Sequence, residues 1–294
     1  MRMPLAVGLV FAFQAAGATA QTPRQAWKSG IDEQNKYYSQ VPHAMLKIQD
    51  AVYLSEGETA ALEGRREQPE SWRWTKKPAA LGVLQISLKN KKISVVRFGK
   101  PADASAVSKG LGLEKEMDVV GQPTQVSAGI MGWRIFLYNQ ANPAAKSFSG
   151  VSYFPYADDF RVTARFAPDP ALPARVFRTS RGTDKQFFHA GDASFTLKGR
   201  KTTLPFYAET NKPAEIADMS AFYTDQLTGK GTYGAGRYVD VNGFGRFPPA
   251  TVTVDLNFTY NPNCARSPYF TCPVAVDTIA VPVTAGEREP HAVH

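Results

Sequence analysis

Phe160-Arg161-Val162-Thr163-Ala164-Arg165-Phe166 alternates apolar and polar side chains at every step. A period of two puts Phe160, Val162, Ala164 and Phe166 on one face of a β-strand and the two arginines and Thr163 on the other. The signal recurs on both sides of this run. Residues 83–88 and 93–96 flank Lys89-Asn90-Lys91-Lys92 and read as a β-hairpin, while Trp133, Ile135 and Leu137 alternate with Arg134 and Phe136. Further strands are expected at 194–197, 203–207, 219–223, 237–241, 251–258 and 278–283, separated by Gly, Pro or Asn. That spacing implies antiparallel sandwich or barrel-like sheets rather than alternating β and α units. With 23 Gly and 21 Pro among 294 residues, a helical bundle is excluded. One amphipathic helix is expected at 23–39, where Trp27, Ile31 and Tyr38 share a face and Pro42 ends the pattern. The fold expected is mainly β with an N-terminal helix. A loop-like cluster, Asn139-Gln140-Ala141-Asn142-Pro143, divides an N-terminal helix and small β subdomain (21–143) from a C-terminal β subdomain (144–294).

Residues 1–20 read as an address rather than as structure. Arg2 precedes an apolar stretch from Leu5 to Phe13, and Ala18-Thr19-Ala20 is the small-residue pattern that a signal peptidase cuts, leaving Gln21 first. The stretch is shorter than the roughly 18–20 residues needed to cross a bilayer, and no later stretch is apolar enough. The mature chain is therefore expected to be exported, to the periplasm or beyond the cell, without a membrane span. The whole chain carries a formal charge of +8, and Arg2 is the only charge in the leader. Its basic residues are interspersed with acids, which implies a solvated surface with weak attraction to anionic envelope components and no nucleic-acid partner.

Familiar catalytic signatures are few. Gly229-Lys230-Gly231-Thr232-Tyr233-Gly234 matches G-x-G-x-x-G, yet the strand-like Arg237-Tyr238-Val239-Asp240-Val241 follows where a dinucleotide loop needs a helix. These glycines are expected to form a β-turn, and no cofactor is implied. His189, in Phe187-Phe188-His189-Ala190-Gly191, could serve a serine nucleophile, but a turn histidine is the simpler reading. Two cysteines and four histidines offer no metal set. Cys264 and Cys272 lie eight positions apart in a loop of Pro, Asn and Tyr, and in an exported chain one local disulfide is expected. Closing so short a ring contributes about 2.5 kcal/mol if unstrained.

One region is more specific. Phe222-Tyr223-Thr224-Asp225-Gln226-Leu227-Thr228-Gly229-Lys230-Gly231-Thr232-Tyr233-Gly234-Ala235-Gly236-Arg237 is followed by Asp255-Leu256-Asn257-Phe258-Thr259-Tyr260-Asn261-Pro262-Asn263-Cys264, by Cys272-Pro273 and by Ala285-Gly286-Glu287. This resembles the bacterial and archaeal family catalogued as domain of unknown function number 1684. Phe148 to Pro155 resembles its middle block, and Met45 to Ile48 with Tyr53 to Glu58 its N-terminal segment, so the likeness covers about residues 45–287. Leu227 in a usually polar turn, and Met45 where the family tends to show an aromatic, are departures. The resemblance implies a shared fold and a shared polar constellation, with no activity to transfer.

That constellation is Asp225, Tyr233, Arg237, Asp255, Asn257, Tyr260 and Asn261. Asp255 and Asn257 alternate with Val254, Leu256 and Phe258 and are expected on the same side of one strand. Arg237 could pair bidentately with either Asp255 or Asp225. Buried, these groups would be a structural network. Open to a cleft, they would recognise a small polar molecule or envelope glycan, or perform acid–base chemistry. Two functions follow: an exported binding or scaffold module, or a hydrolase-like enzyme with Asp255 or Asp225 as general base and Arg237 as anion stabiliser. Expression of the full chain in a bacterial host should yield a protein whose intact mass starts at Gln21. A mass that retains residues 1–20 would remove the export reading.

Overall fold

Strands dominate the computed structural model, which describes residues 21–65, 67–76, 83–114 and 116–289. The expected leader lies outside them. The described chain divides into two units: residues 36–148, and a second in which residues 21–35 join residues 149–289. The expected 21–143 and 144–294 division differs in two respects: the boundary falls after Phe148, and the helix joins the C-terminal strands.

In the 36–148 unit, β1 (Ile48–Leu54), β9 (Ile130–Asn139), β8 (Met117–Ser127) and β7 (Leu111–Gly112) form one sheet in that order. A second has the order β3 (Arg73–Thr75), β2 (Thr59–Glu63), β4 (Leu84–Lys89), β5 (Lys92–Arg97), β6 (Lys100–Ala102). Leu54 and Ile135 from the first sheet and Leu62, Leu84 and Ile86 from the second share one core with Trp72. This is sandwich packing driven by apolar burial. The expected hairpin is present, and Asn90 and Lys91 turn it with φ of 53° and 60°. Two consecutive positive φ angles match the right-handed twist of the strands that they join. Tyr38 sits in a π turn (Lys36–Gln40) of this unit rather than on the expected helix.

The second unit is an eight-stranded sheet. Its main path runs β15 (Arg237–Asn242), β14 (Asp218–Thr224), β13 (Arg200–Ala208), β12 (Asp184–Leu197), β10 (Arg161–Pro168), β16 (Thr251–Asp255). The strand β11 (Ala174–Arg178) pairs with β12, and the two-residue β17 (Asp277–Thr278) pairs in parallel with β14. Tyr238 of β15 and Tyr260, just past β16, exchange backbone hydrogen bonds of 2.9 and 3.0 Å, so the sheet is nearly closed and barrel-like. Phe160, Ala164 and Phe166 are buried inside it, as the alternation requires, and Arg161, Thr163 and Arg165 face out.

Three expectations change here. The strand at 251–258 stops at Asp255, because Leu256–Phe258 turns into a 3-10 helix. At 278–283 only Thr278 is in a strand, although Ile279, Val281 and Val283 remain buried. The helix α1 is Pro23–Asn35, with Ala26, Gly30 and Gln34 on its buried face rather than Trp27 and Ile31. Its start is a reciprocal cap: Gln25 N–H donates to Thr22 Oγ1 (3.3 Å), and Thr22 N–H donates to Gln25 Oε1 (2.9 Å). Trp27 instead leans against Tyr153 and Tyr156 while its indole N–H donates to the Asn257 carbonyl (3.0 Å).

The opposite face of the C-terminal sheet is also covered. Phe177, Phe187, Tyr207, Phe222 and Tyr238 form a buried row of rings, with centroids 4.6 Å apart for Phe222 and Tyr238 and 4.8 Å for Phe177 and Tyr207. Residues 261–276 lie over part of this row: the Tyr238 hydroxyl donates to the Pro273 carbonyl, and Ser180 N–H donates to the Cys272 carbonyl (2.9 Å). The hairpin at Lys198-Gly199 shows what the Asn90-Lys91 turn lacks, a glycine in its second left-handed position. Lys91→Gly should therefore stabilise the protein by about 0.5 kcal/mol. A higher denaturant midpoint checks this, and an unchanged or lower one contradicts it.

Candidate functional site

β15 begins with Arg237, and the parity of the strand sends its side chain to the barrel interior alongside Val239 and Val241. It is 0% exposed. One guanidinium nitrogen donates to Asp225 Oδ2 (2.6 Å) and to the Val283 carbonyl (3.0 Å). The other donates to the carbonyls of Ala285 (2.7 Å) and Glu287 (3.1 Å). Asp225 Oδ1 in turn accepts the Leu227 N–H (2.6 Å) and so shapes the glycine turn. Of the two partners open to Arg237, Asp225 is the one taken. Asp255 pairs with Arg161 instead, at 3.4 Å.

A second buried pair completes the lock. Arg266 reaches Glu287 Oε1 at 2.5 Å, while Glu287 Oε2 accepts from Asn261 N–H (2.8 Å) and Gln34 of α1 (3.4 Å). Burial pushes the Glu287 carboxyl above its ordinary range, and Arg266 pulls it partly back. Asn261 spends its side-chain amide on the Arg288 carbonyl (2.7 Å). These are structural contacts between chain segments, closed to a ligand.

The expected pair Asp255 and Asn257 does not share a strand face. Asp255 caps the 3-10 turn by accepting the Asn257 backbone N–H (3.1 Å) and side-chain amide (2.9 Å). Asn257 also mimics a peptide group toward Ala157, donating to its carbonyl and accepting its N–H, both at 3.0 Å. Burial raises the Asp255 carboxyl above its usual range. The glycine segment is a turn as expected, lying between β14 and β15, with Gly229 N–H donating to the Thr232 carbonyl (2.9 Å). Gly236 (φ 89°) packs so tightly that a Cβ there would meet the Ala275 Cβ at 2.3 Å and the Tyr223 carbonyl oxygen at 2.8 Å. The seven candidates thus disperse: Asp225, Arg237 and Asn261 enter the lock, Asp255 and Asn257 the 3-10 turn, and Tyr233 and Tyr260 the other side of the sheet.

On that side lie groups which the sequence reading passed over. Asp240 stands in Tyr238-Val239-Asp240-Val241, where alternation already sets it opposite the buried valines. Cross-strand register places it against Ser220, whose hydroxyl donates to Asp240 Oδ1 at 2.6 Å. Tyr260 donates to Oδ2 at 3.0 Å. Burial pushes the Asp240 carboxyl up to about 6 despite those two donors, and the neighbouring Asp218 adds to the effect. Asp218 is itself raised by burial. Both remain partly exposed.

His189 is not in a turn. It lies within β12 at a β-bulge, and its ring nitrogens face Asp169 and Asp192, both at 3.1 Å. With both nitrogens so engaged, the imidazole is not free for a serine base role. Cys264 and Cys272 are adjacent but not joined: both are free thiols, and the Cys264 N–H donates to Cys272 Sγ at 3.4 Å. Among the described residues, no group of three or more His, Cys, Asp or Glu is placed to hold a metal ion, and no helix is long and apolar enough to cross a membrane.

The fold and site define a mainly β protein whose C-terminal unit is tied together by buried arginine–carboxylate pairs. Residues 146–288 match the family described as protein of unknown function (DUF1684), which places the resemblance in the C-terminal half; Met45 to Glu58 lie outside the matched range. The chain is also similar to the uncharacterized protein from gene locus rrnAC0354 of Haloarcula marismortui, solved in solution by NMR. Identity is 27% over 49% of this chain and 78% of that one, with a TM-score of 0.42. No curated protein matches. Arg237→Ala would orphan the buried Asp225 and three carbonyls, and should cost about 3–5 kcal/mol in chemical denaturation. An unchanged midpoint would contradict the lock.

Proposed function

We propose that the chain is an exported β-rich binding module, periplasmic or secreted, which takes a small polar ligand on the outer face of its C-terminal sheet at Asp240. The observation that carries this reading is the carboxyl of Asp240, a partly exposed residue on the outer face of the sheet, held by the Ser220 and Tyr260 hydroxyls and raised by burial to about 6 beside Asp218. A carboxylate kept short of full ionisation gains most from a cationic or hydroxyl-rich ligand, which returns the stabilisation lost on burial. Such a ligand is a free metabolite or an envelope component. The leader pattern at residues 1–20 supports export, and in an oxidising compartment Cys264 and Cys272 would be joined.

The hydrolase-like alternative finds less support. Asp225 and Arg237 are sealed together, and Asp255 is committed to Arg161 and to its own turn. None of them meets a reacting atom without taking the lock or the turn apart.

Thermal-shift screening of the mature protein against small amines and polyols tests the proposal. A ligand that raises Tm for the wild type but not for Asp240→Asn supports it, and an equal shift in both contradicts it. The pH dependence has a definite sign. Because folding raises the Asp240 pKa, its protonated form stabilises the fold, and that contribution is lost as pH rises from about 4 through about 6. Asp240→Asn should remove this part of the decline, at most about 3 kcal/mol at roughly 1.4 kcal/mol per unit of pKa. Parallel stability–pH curves for the two proteins would contradict the assignment.

A further inference from the structure

The outer face of the C-terminal sheet is sorted by chemistry along its strand order. Where β16, β10, β12 and β13 lie side by side, cross-strand register aligns Thr251, Arg165, Ser194 and Thr203 in one row, all exposed. Two residues further along the strands, Thr253 stands opposite Thr163 and Thr196 opposite Lys201, again all exposed. These positions alternate with Ala164, Phe195, Leu204 and Val252 of the core, so strand parity fixes their outward direction. Hydroxyls fill every position of the two rows except those of Arg165 and Lys201. The Ser194 and Thr203 hydroxyls meet at 3.2 Å. Neither Arg165 nor Lys201 has an ion-pair partner among the described residues, and Asp255, at the end of the rows, is taken by Arg161 at 3.4 Å.

The other half of the same sheet has the opposite character. There β13, β14 and β15 carry Glu209, Asp218 and Asp240, with register setting Ser220 between Tyr207 and Asp240. Solvated strands favour threonine for its fit to a pleated surface, and a basic chain places cations widely. Neither tendency accounts for carboxylates gathered on one half and absent from the two rows of the other.

We propose that the outer face of β16, β10, β12 and β13 is a docking surface for an acidic polysaccharide, a chain of sugars bearing carboxylates. Charge complementarity selects the anion. Arg165 offers a planar fork to a carboxylate, and Lys201 offers a point charge two strands away. The hydroxyls select the carrier. Thr251 and Ser194 flank Arg165 on both sides, and each hydroxyl both donates and accepts, as sugar hydroxyls do. Threonine is restricted at χ1, so little side-chain freedom is lost when these groups are ordered by a ligand. The two rows hold no aromatic ring to stack on a base and no large apolar side chain to enter a bilayer, which favours a polysaccharide over nucleic acid or membrane. This docking surface does not depend on the ligand proposed for Asp240.

Affinity electrophoresis of the mature protein tests the proposal. Polygalacturonate in the gel should retard the wild type, dextran should not, and added salt should weaken the retardation. Arg165→Glu combined with Lys201→Glu should raise the polygalacturonate Kd at least about tenfold. Lys28→Glu combined with Lys230→Glu makes the same change in net charge at exposed residues of α1 and the glycine turn, and should leave Kd within about twofold. Equal losses in the two double variants, an unaltered Kd in the first, equal retardation by dextran, or no retardation by polygalacturonate would each overturn the assignment. Tighter binding to single-stranded DNA or to phosphatidylserine vesicles at matched salt would overturn it as well. The comparisons among these materials use the wild type alone, so they decide the matter even where a variant does not fold.

Discussion

A guanidinium with no access to water must find every stabilising partner within the protein, and the C-terminal unit is organised around that demand. Arg237 takes the Asp225 carboxylate and three main-chain carbonyls from residues 283–287. Those carbonyls belong to a segment which is buried at alternate positions yet lies outside the ladders after Thr278. The arginine thus does for this segment what a neighbouring strand does elsewhere. Lysine could not substitute, because a single ammonium cannot present its donors as a planar fork to four acceptors. Through Asp225 the same contact sets the glycine turn, and through Glu287 it adjoins the Arg266 pair and α1.

Strand parity then decides which polar groups are structural and which remain open. Along β15, Arg237, Val239 and Val241 point into the barrel, while Tyr238 and Asp240 point to the other side. The inner charges must be paired, since an unpaired one there would cost several kcal/mol, and Arg237 is held through both terminal nitrogens although its Nε has no hydrogen-bond partner. The outer ones are less constrained. Asp240 keeps two hydroxyl donors, and burial, partly offset by those donors, holds its carboxyl near 6. One strand therefore carries both the lock and the proposed ligand contact, at Arg237 and Asp240, three residues apart and so on opposite faces.

The segment 261–276 extends this arrangement over the aromatic row. It is anchored by backbone bonds to Ser180 and Arg178 and by the Tyr238 hydroxyl. Its two cysteines meet beside those anchors, where the Cys264 N–H donates to Cys272 Sγ. Gly236 allows the turn to close against Tyr223 and Ala275, where no side chain would fit. Lock, turn and thiol pair are consequently parts of one chain of contacts in the C-terminal unit.

Period-two alternation by itself determined the mainly β architecture, the inward face of Phe160, Ala164 and Phe166, and the hairpin around Asn90 and Lys91, because burial on one side of a strand imprints directly on neighbouring residues. The resemblance to the family motifs, not the alternation, pointed to the polar residues of the C-terminal unit. It did not separate Asp255 from Arg237, or find Glu287, Gln34, Ser220 and Asp240 as partners, since these meet across long separations in the chain. Local pattern carried 251–258 on as a strand, whereas the Asp255 cap and the Asn257 contacts with Ala157 turn it into a 3-10 helix. Similarly, spacing brought Cys264 and Cys272 together but could not say that Cys272 would be buried and Cys264 partly exposed. Side-chain chemistry and strand parity are local properties; which charges are sealed and which sulfur is exposed depends on what the rest of the fold lays over them.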